Sequence, residues 1–139
     1  QRQMGIRDRG VALKIQLPVG PAIIQADLHR LTQVITNLIN NAAKFTTQGY
    51  ILIKYDYTQD KRWIQISVTD TGKGIPADKQ AQVFERFNKL DEFAQGTGLG
   101  LAICQIIIEH FGGYITLESK EGEGSTFIVT LPYTPGLSV

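Results

Sequence analysis

The chain has 139 residues, 42% of them hydrophobic and 19% charged, which is the size and make-up of one globular domain with its own core. Fourteen Lys and Arg against thirteen Asp and Glu leave a net charge of +1, so the balance marks no nucleic-acid or acidic-membrane partner and any basic group that matters must act locally. A single cysteine, Cys104, excludes an internal disulfide or a cysteine metal cluster, and its apolar surroundings in sequence read as those of a small buried hydrophobe.

Residues 1–10 are polar and Arg-rich and are expected to be a linker. Val11 to Leu17 alternates apolar and polar residues and stops at Pro18, which predicts a strand. Pro21 to Gln25 reads as a short edge strand, and Asp27 is placed to cap the helix that follows. From Leu28 to Phe45 the residues Leu31, Ile35, Leu38, Ala42 and Phe45 fall at helical spacing, which predicts a helix of roughly 25 Å at 1.5 Å per residue. Tyr50 to Tyr57 and Trp63 to Asp70 read as an antiparallel hairpin joined by the polar stretch 58–62. In its second strand Ile64, Ile66 and Val68 share a face, and the period of two puts Asp70 on that face, so a carboxylate ends a buried row. Pro76 opens a short helix to about Phe84, and 88–96 is irregular. A second apolar helix spans Leu99 to Phe111 and stops at Gly112-Gly113. Tyr114 to Lys120 and Ser125 to Leu131 form a last hairpin, and 133–139 is a tail. The order predicts an α+β fold, an α/β sandwich whose mixed, mostly antiparallel sheet has helices layered on one face, with the domain body at 11–132.

No apolar run approaches the ~20 residues of a membrane span, and no signal peptide is evident. Opening at Gln1 is what a piece of a longer protein would show.

Two glycine clusters, Asp70-Thr-Gly72-Lys-Gly74-Ile75-Pro76 and Gly96-Thr97-Gly98-Leu99-Gly100-Leu101, bracket Phe84-Glu-Arg-Phe87. Glycine permits positive φ and lets a ligand approach the main chain, so the pattern points to a nucleotide site under a mobile flap. The second cluster leads straight into an apolar helix, whose free amides and positive dipole end would converge on phosphate. Its spacing matches neither G-x-x-x-x-G-K-[ST] nor G-x-G-x-x-G. Buried Asp70 can only accept when ionised, so it needs donors such as the exocyclic amine of adenine; a turn-capping aspartate is the plainer alternative.

Asn37, Asn41 and Lys44, at i, i+4 and i+7, form one stripe on the first helix. It reads either as a cleft edge, offering two amide oxygens to a cation such as magnesium and an ammonium to phosphate, or as a solvated helix face. Phe84, Phe87 and Phe93 suit docking of the flap, while Arg86 and Lys89 either reach the terminal phosphate or stay solvated. His29 and His110 fall near helix ends, and no Ser-His-Asp elbow, Cys-His pair or metal signature occurs.

Taken in order, Asn37-Leu-Ile-Asn-Asn41-Ala-Ala-Lys44-Phe45-Thr46, Asp70 to Pro76, Phe84 to Phe87 and Gly96 to Ile103 resemble the N box, the two glycine boxes and the F box of sensor histidine kinases. The closing Gly124-Ser-Thr-Phe127 and Leu131-Pro132 extend the match over most of the chain. That family belongs to the GHKL group, with DNA gyrase, mismatch-repair and chaperone ATPases.

The resemblance implies the GHKL ATP-binding fold with ATP and Mg2+ as cofactors. Asn41 would hold the metal, and Asn37 and Lys44 would contact phosphates or metal, the three forming the catalytic set. Asp70 would take the adenine amine, in a pocket shaped by Gly72, Gly74 and Ile75, with Phe45 near the base. Gly96, Gly98 and Gly100 would hinge the lid and, with Thr97, Leu99 and Leu101, cradle phosphates, while Lys89 matches a basic lid position. Ser125 falls at the family's threonine and would support Asp70 through water.

Hydrolytic members carry a glutamate four residues before the metal asparagine, where this chain has Asn37, an amide that accepts no proton at neutral pH. Poor hydrolysis follows, and the γ-phosphoryl group is kept for in-line attack by a histidine supplied from elsewhere. The resemblance thus implies the cytoplasmic catalytic domain of a sensor kinase whose parent is a candidate for membrane anchoring. Its partners would be an upstream dimerisation and phosphoacceptor domain, linked through 1–10, and a response-regulator receiver domain, with no nucleic acid and no membrane insertion of its own. The fragment alone is not expected to autophosphorylate. A nucleotide-gated interaction module and a serine kinase of the anti-sigma-factor type are the alternatives.

Overall fold

An apolar stripe recurring every three to four residues makes Leu28–Phe45 an 18-residue helix, α1, with the bounds its sequence predicts. The structure, a computed structural model, describes residues 2–5, 11–16, 28–60, 62–84 and 100–132. Around α1 lie β1 (Arg2–Gly5), β2 (Val11–Gln16), β3 (Gly49–Tyr57), β4 (Trp63–Asp70), α2 (Ala77–Gln80), α3 (Leu101–His110), β5 (Tyr114–Lys120) and β6 (Gly124–Pro132). The strands form one sheet in the order β1-β2-β3-β4-β6-β5, in which only β2 and β3 pair in parallel. That pair needs a crossover, because parallel neighbours cannot be joined by a tight turn, and α1 is the crossover. The mixed, mostly antiparallel sheet of the expected sandwich is present.

Three elements depart from expectation. Arg2–Gly5, expected within a linker, pairs antiparallel with β2, Arg2 lying opposite Ile15. A polar segment has no hydrophobic period to announce a strand; the unpaired edge of β2 supplies the template. Helix α2 ends at Gln80 and gives way to turns over 81–84, with Pro76 as its N-cap. Helix α3 begins at Leu101 after an extended Gly100 (φ −83°, ψ 162°). The expected strand 21–25, the Asp27 cap, the flap 88–96 and the tail 133–139 lie outside the described residues.

The helices cover one face of the sheet. Val34, Leu38 and Ala42 of α1 and Leu101, Cys104 and Ile108 of α3 bury against Ile51, Ile64, Val68, Phe127, Val129 and Leu131 of the strands. Burial of this apolar surface, at about 25 cal/mol per Å2, is what holds the layers together. The opposite face carries Lys54, Asp56, Gln65, Thr69, Glu118 and Thr126, as strand alternation requires. Register then sets the site: Ile51 lies opposite Asp70, Asp70 opposite Ser125, and Ser125 opposite Ser119. One rung of the helix-covered face is therefore polar over three adjacent strands. No described helix is long and apolar enough to cross a membrane.

Candidate functional site

Asp70 is the last residue of β4, and the alternation that buries Ile64 and Val68 leaves it only 7% exposed. Burial pushes its carboxyl above the ordinary value, opposed by the backbone N–H groups of Gly72 and Ser125, which favour the ion. Gly72 N–H donates to Asp70 Oδ1 at 2.8 Å. The remaining acceptor capacity serves the cleft that Asp70 lines.

The loop after Asp70 is tied at both ends. Thr71 N–H donates to the Tyr50 carbonyl at 3.2 Å, and Tyr50 N–H donates to Thr71 Oγ1 at 3.0 Å. Further on, Ile75 N–H donates to Ser119 Oγ at 2.8 Å and Gly122 N–H to the Lys73 carbonyl at 2.7 Å. A Cβ on Gly72 would fall 2.9 Å from Asp70 Oδ1 and 3.0 Å from Thr46 Oγ1, and closer still to the Phe45 carbonyl. Gly74 has φ +71°, and a Cβ there would meet the Lys120 main chain. Both glycines thus let the loop press against the end of α1 and the β5–β6 turn, a packing role beside the positive φ and ligand approach that the motif suggests.

The cleft has a cavity volume of about 190 Å3. Asn41 and Phe45 line it from α1, Asp70, Gly74 and Ile75 from β4 and its loop, and Ser125 from β6. Of the residues expected to meet a nucleotide, these six come together there, with Gly72 beside Asp70. Lys73, Pro76, Lys79, Val83 and Phe127 also line it; Lys73 and Pro76 belong to the first glycine motif and Phe127 to the closing one, but none of the five was expected to touch a ligand. The Lys73 ammonium sits 4.9 Å from the centre of the Phe45 ring, so a cation occupies the face expected to lie near the base.

The asparagine stripe is buried rather than solvated, with Asn37 2% and Asn41 6% exposed. Asn37 Nδ2 donates to Cys104 Sγ at 3.3 Å across the α1–α3 contact, which places Asn37 one turn from Asn41 but outside the cleft lining. The Oδ1 atoms of both asparagines have no hydrogen-bond partner among the described residues, and neither has Thr46 Oγ1. Two buried, unpartnered amide oxygens a helical turn apart suit a hard cation that keeps several waters. Lys44 is exposed and does not line the cleft. Leu101 is expected at the phosphates, yet its side chain is 2% exposed and belongs to the core. Lys89, Gly96, Thr97, Gly98 and Leu99 lie outside the described residues, while Gly100 caps α3.

Residues 26–135 match the family described as histidine kinase-, DNA gyrase B- and HSP90-like ATPase. The chain is 42% identical over 125 residues to the circadian input-output histidine kinase CikA of Synechococcus elongatus, covering 86% of this chain and 16% of that protein. It is 46% identical over 111 residues to the sensor protein SrrB of Staphylococcus aureus, covering 76% and 19%. The chain thus spans less than a fifth of the length of these two relatives. Among solved structures, the catalytic domain of histidine kinase ThkA in a nucleotide-free form aligns with TM-score 0.79 at 34% identity, covering 94% of this chain and 84% of that one. Full-length ShkA in complex with AMPPNP aligns at 0.80 and 30% identity, covering 94% and 27%.

Proposed function

The chain belongs to the histidine kinase-, DNA gyrase B- and HSP90-like ATPase family, and from that premise we propose that it is the ATP-binding catalytic domain of a two-component sensor histidine kinase. The observation that carries this reading is the cleft with a buried carboxylate, Asp70, on the sheet side and the unpartnered Oδ1 of Asn41 on the helix side. Asp70 accepts from the adenine amine, and the loop held by Thr71 and Ile75 keeps the base against it. Asn41 Oδ1 would hold Mg2+, with Asn37 one turn away contacting phosphate or metal, and the ion when bound would neutralise charge on the phosphates. Lys44 and the glycine cluster that ends at Gly100 would attend the phosphates.

No carboxylate stands at position 37 to activate water, so the γ-phosphoryl group awaits another nucleophile. A histidine nitrogen from a dimerisation and phosphoacceptor domain attacks phosphorus in line; the N–P bond forms as the bond to the ADP oxygen breaks. Catalysis rests on positioning and charge neutralisation. A receiver domain then takes the phosphoryl group.

Mixing the chain with a separately made phosphoacceptor domain and Mg-ATP labelled at the γ-phosphate tests this. Acid-labile label on a histidine is expected. Binding of ATP with no label on any acceptor histidine would instead make the chain a nucleotide-gated interaction module.

A further inference from the structure

Helix α2 has four residues, none of them buried, and its N-cap Pro76 supplies no side-chain hydrogen bond. A single helical turn fixes several dihedrals for one hydrogen bond, so a helix this short does not hold itself together and takes its place from its surroundings. Yet this stretch is a wall of the cleft, for Ile75, Pro76, Lys79 and Val83 all line it. Something outside the helix must keep that wall against the sheet.

Gln80, the last residue of α2, makes the connection. Its Nε2 donates to the Ile75 carbonyl and to the Ser119 carbonyl of β5, both at 2.9 Å. Carbonyl oxygens only accept, so the amide nitrogen is the end of Gln80 that faces them, and its two protons serve one each. The main chain of Gln80 adds a third tie, its carbonyl accepting from Val83 N–H at 3.3 Å. On the other side of the clasp, Ile75 N–H donates to Ser119 Oγ at 2.8 Å, so both main-chain polar groups of Ile75 are held. Gln80 thus joins the loop before α2, the turn after it and the edge strand of the sheet, while itself standing behind the cleft lining.

We propose that Gln80 is a positioning residue for the nucleotide: it touches no ligand, and by clasping Ile75 to Ser119 it keeps the α2 wall in the position that binds. Without the clasp the wall leaves that position part of the time, and apparent affinity falls by the fraction of chains in which it is in place. The proposal rests on the reading of the cleft as an ATP site.

Titration calorimetry with ATP and ADP tests it on wild type, Gln80→Met and Gln80→His, at about pH 8, above the ordinary histidine pKa. Methionine keeps an unbranched, uncharged side chain but has no donor. It is expected to bind both nucleotides about tenfold more weakly, the size of one or two net hydrogen bonds, and by the same factor, since Ile75 belongs to the loop that holds the base. Neutral histidine keeps one N–H donor and is expected to bind about threefold more weakly than wild type, half the free energy of that loss. Trp63, the only tryptophan, stands at the far end of β4 from Asp70 and packs edge-on against Tyr114 at 5.9 Å, so its emission reports folding independently of the cleft. If the methionine variant does not fold, Gln80→Ala, which removes the donor but favours the helix, replaces it with the same expectations. A wild-type chain that binds no adenine nucleotide overturns the ATP-site reading and this proposal with it. Wild-type binding with an unaltered variant, a loss confined to ATP, or a loss that histidine does not reduce overturns the proposal alone.

Discussion

Asp70 combines two demands that pull in opposite directions. Burial raises its pKa above the ordinary value, so its folded-state pKa exceeds the unfolded one, and its favourable contribution to stability is present below the unfolded pKa and lost as pH rises through the folded pKa. At neutral pH the ion is therefore a cost to the empty fold, kept for the ligand it accepts. Asp70→Asn retains an oxygen for Gly72 N–H but removes the charge. Its melting temperature without nucleotide is expected to equal or exceed wild type at pH 7, the gap closing as pH falls below the ordinary carboxylate range. Its ATP affinity should drop about 30-fold, corresponding to about 2 kcal/mol for a charge-assisted hydrogen bond. Thermal melts against pH and calorimetric titration check the two halves. The position of Asp70 was legible because strand alternation is local. Thr46, Lys73, Gln80 and Ser119 were not, since each matters through a partner on another element: Thr46 beside Gly72, Lys73 over Phe45, and Gln80 and Ser119 clasping Ile75.

Among the elements, the loop between β4 and α2 is the one whose shape the site depends on. Its glycines divide by cause. A side chain on Gly72 collides with the end of α1 and with Asp70, while Gly122, in the β5–β6 turn, has φ +85° but nothing within 4 Å of an added Cβ. Gly122→Ala should therefore cost only the left-handed backbone penalty, about 1–2 kcal/mol, and leave ATP affinity unchanged. Gly72→Ala is expected to lose roughly 1–3 kcal/mol of stability from overpacking and most nucleotide binding, as chemical denaturation and titration of the pair will measure. Helix α1 shows the same division between local and tertiary causes. Its bounds followed from the apolar period, but whether Asn37 and Asn41 faced solvent or the interior depended on α3, whose Cys104 receives Asn37.

The whole sheet separates support from site. Strand β1 forms one edge, paired only with β2, whereas the polar rung lies on β4, β6 and β5 at the other side. Removing residues 1–5 strips the ladder from β2 and is expected to lower the melting temperature while ATP affinity stays within twofold of wild type, measured on the same preparation. A matching loss of affinity would show that the edge strand bears on the site after all. By itself the sequence determined what repeats or is spaced along the chain: the strand and helix periods, the carboxylate ending a buried row, and the order of asparagine and glycine motifs that the family match bears out. Tertiary structure alone decided which groups meet. Cross-strand register aligned Asp70 with Ser125 and Ser119, and packing of α3 on α1 buried the asparagines. Such contacts join residues dozens of positions apart, and no local period encodes them.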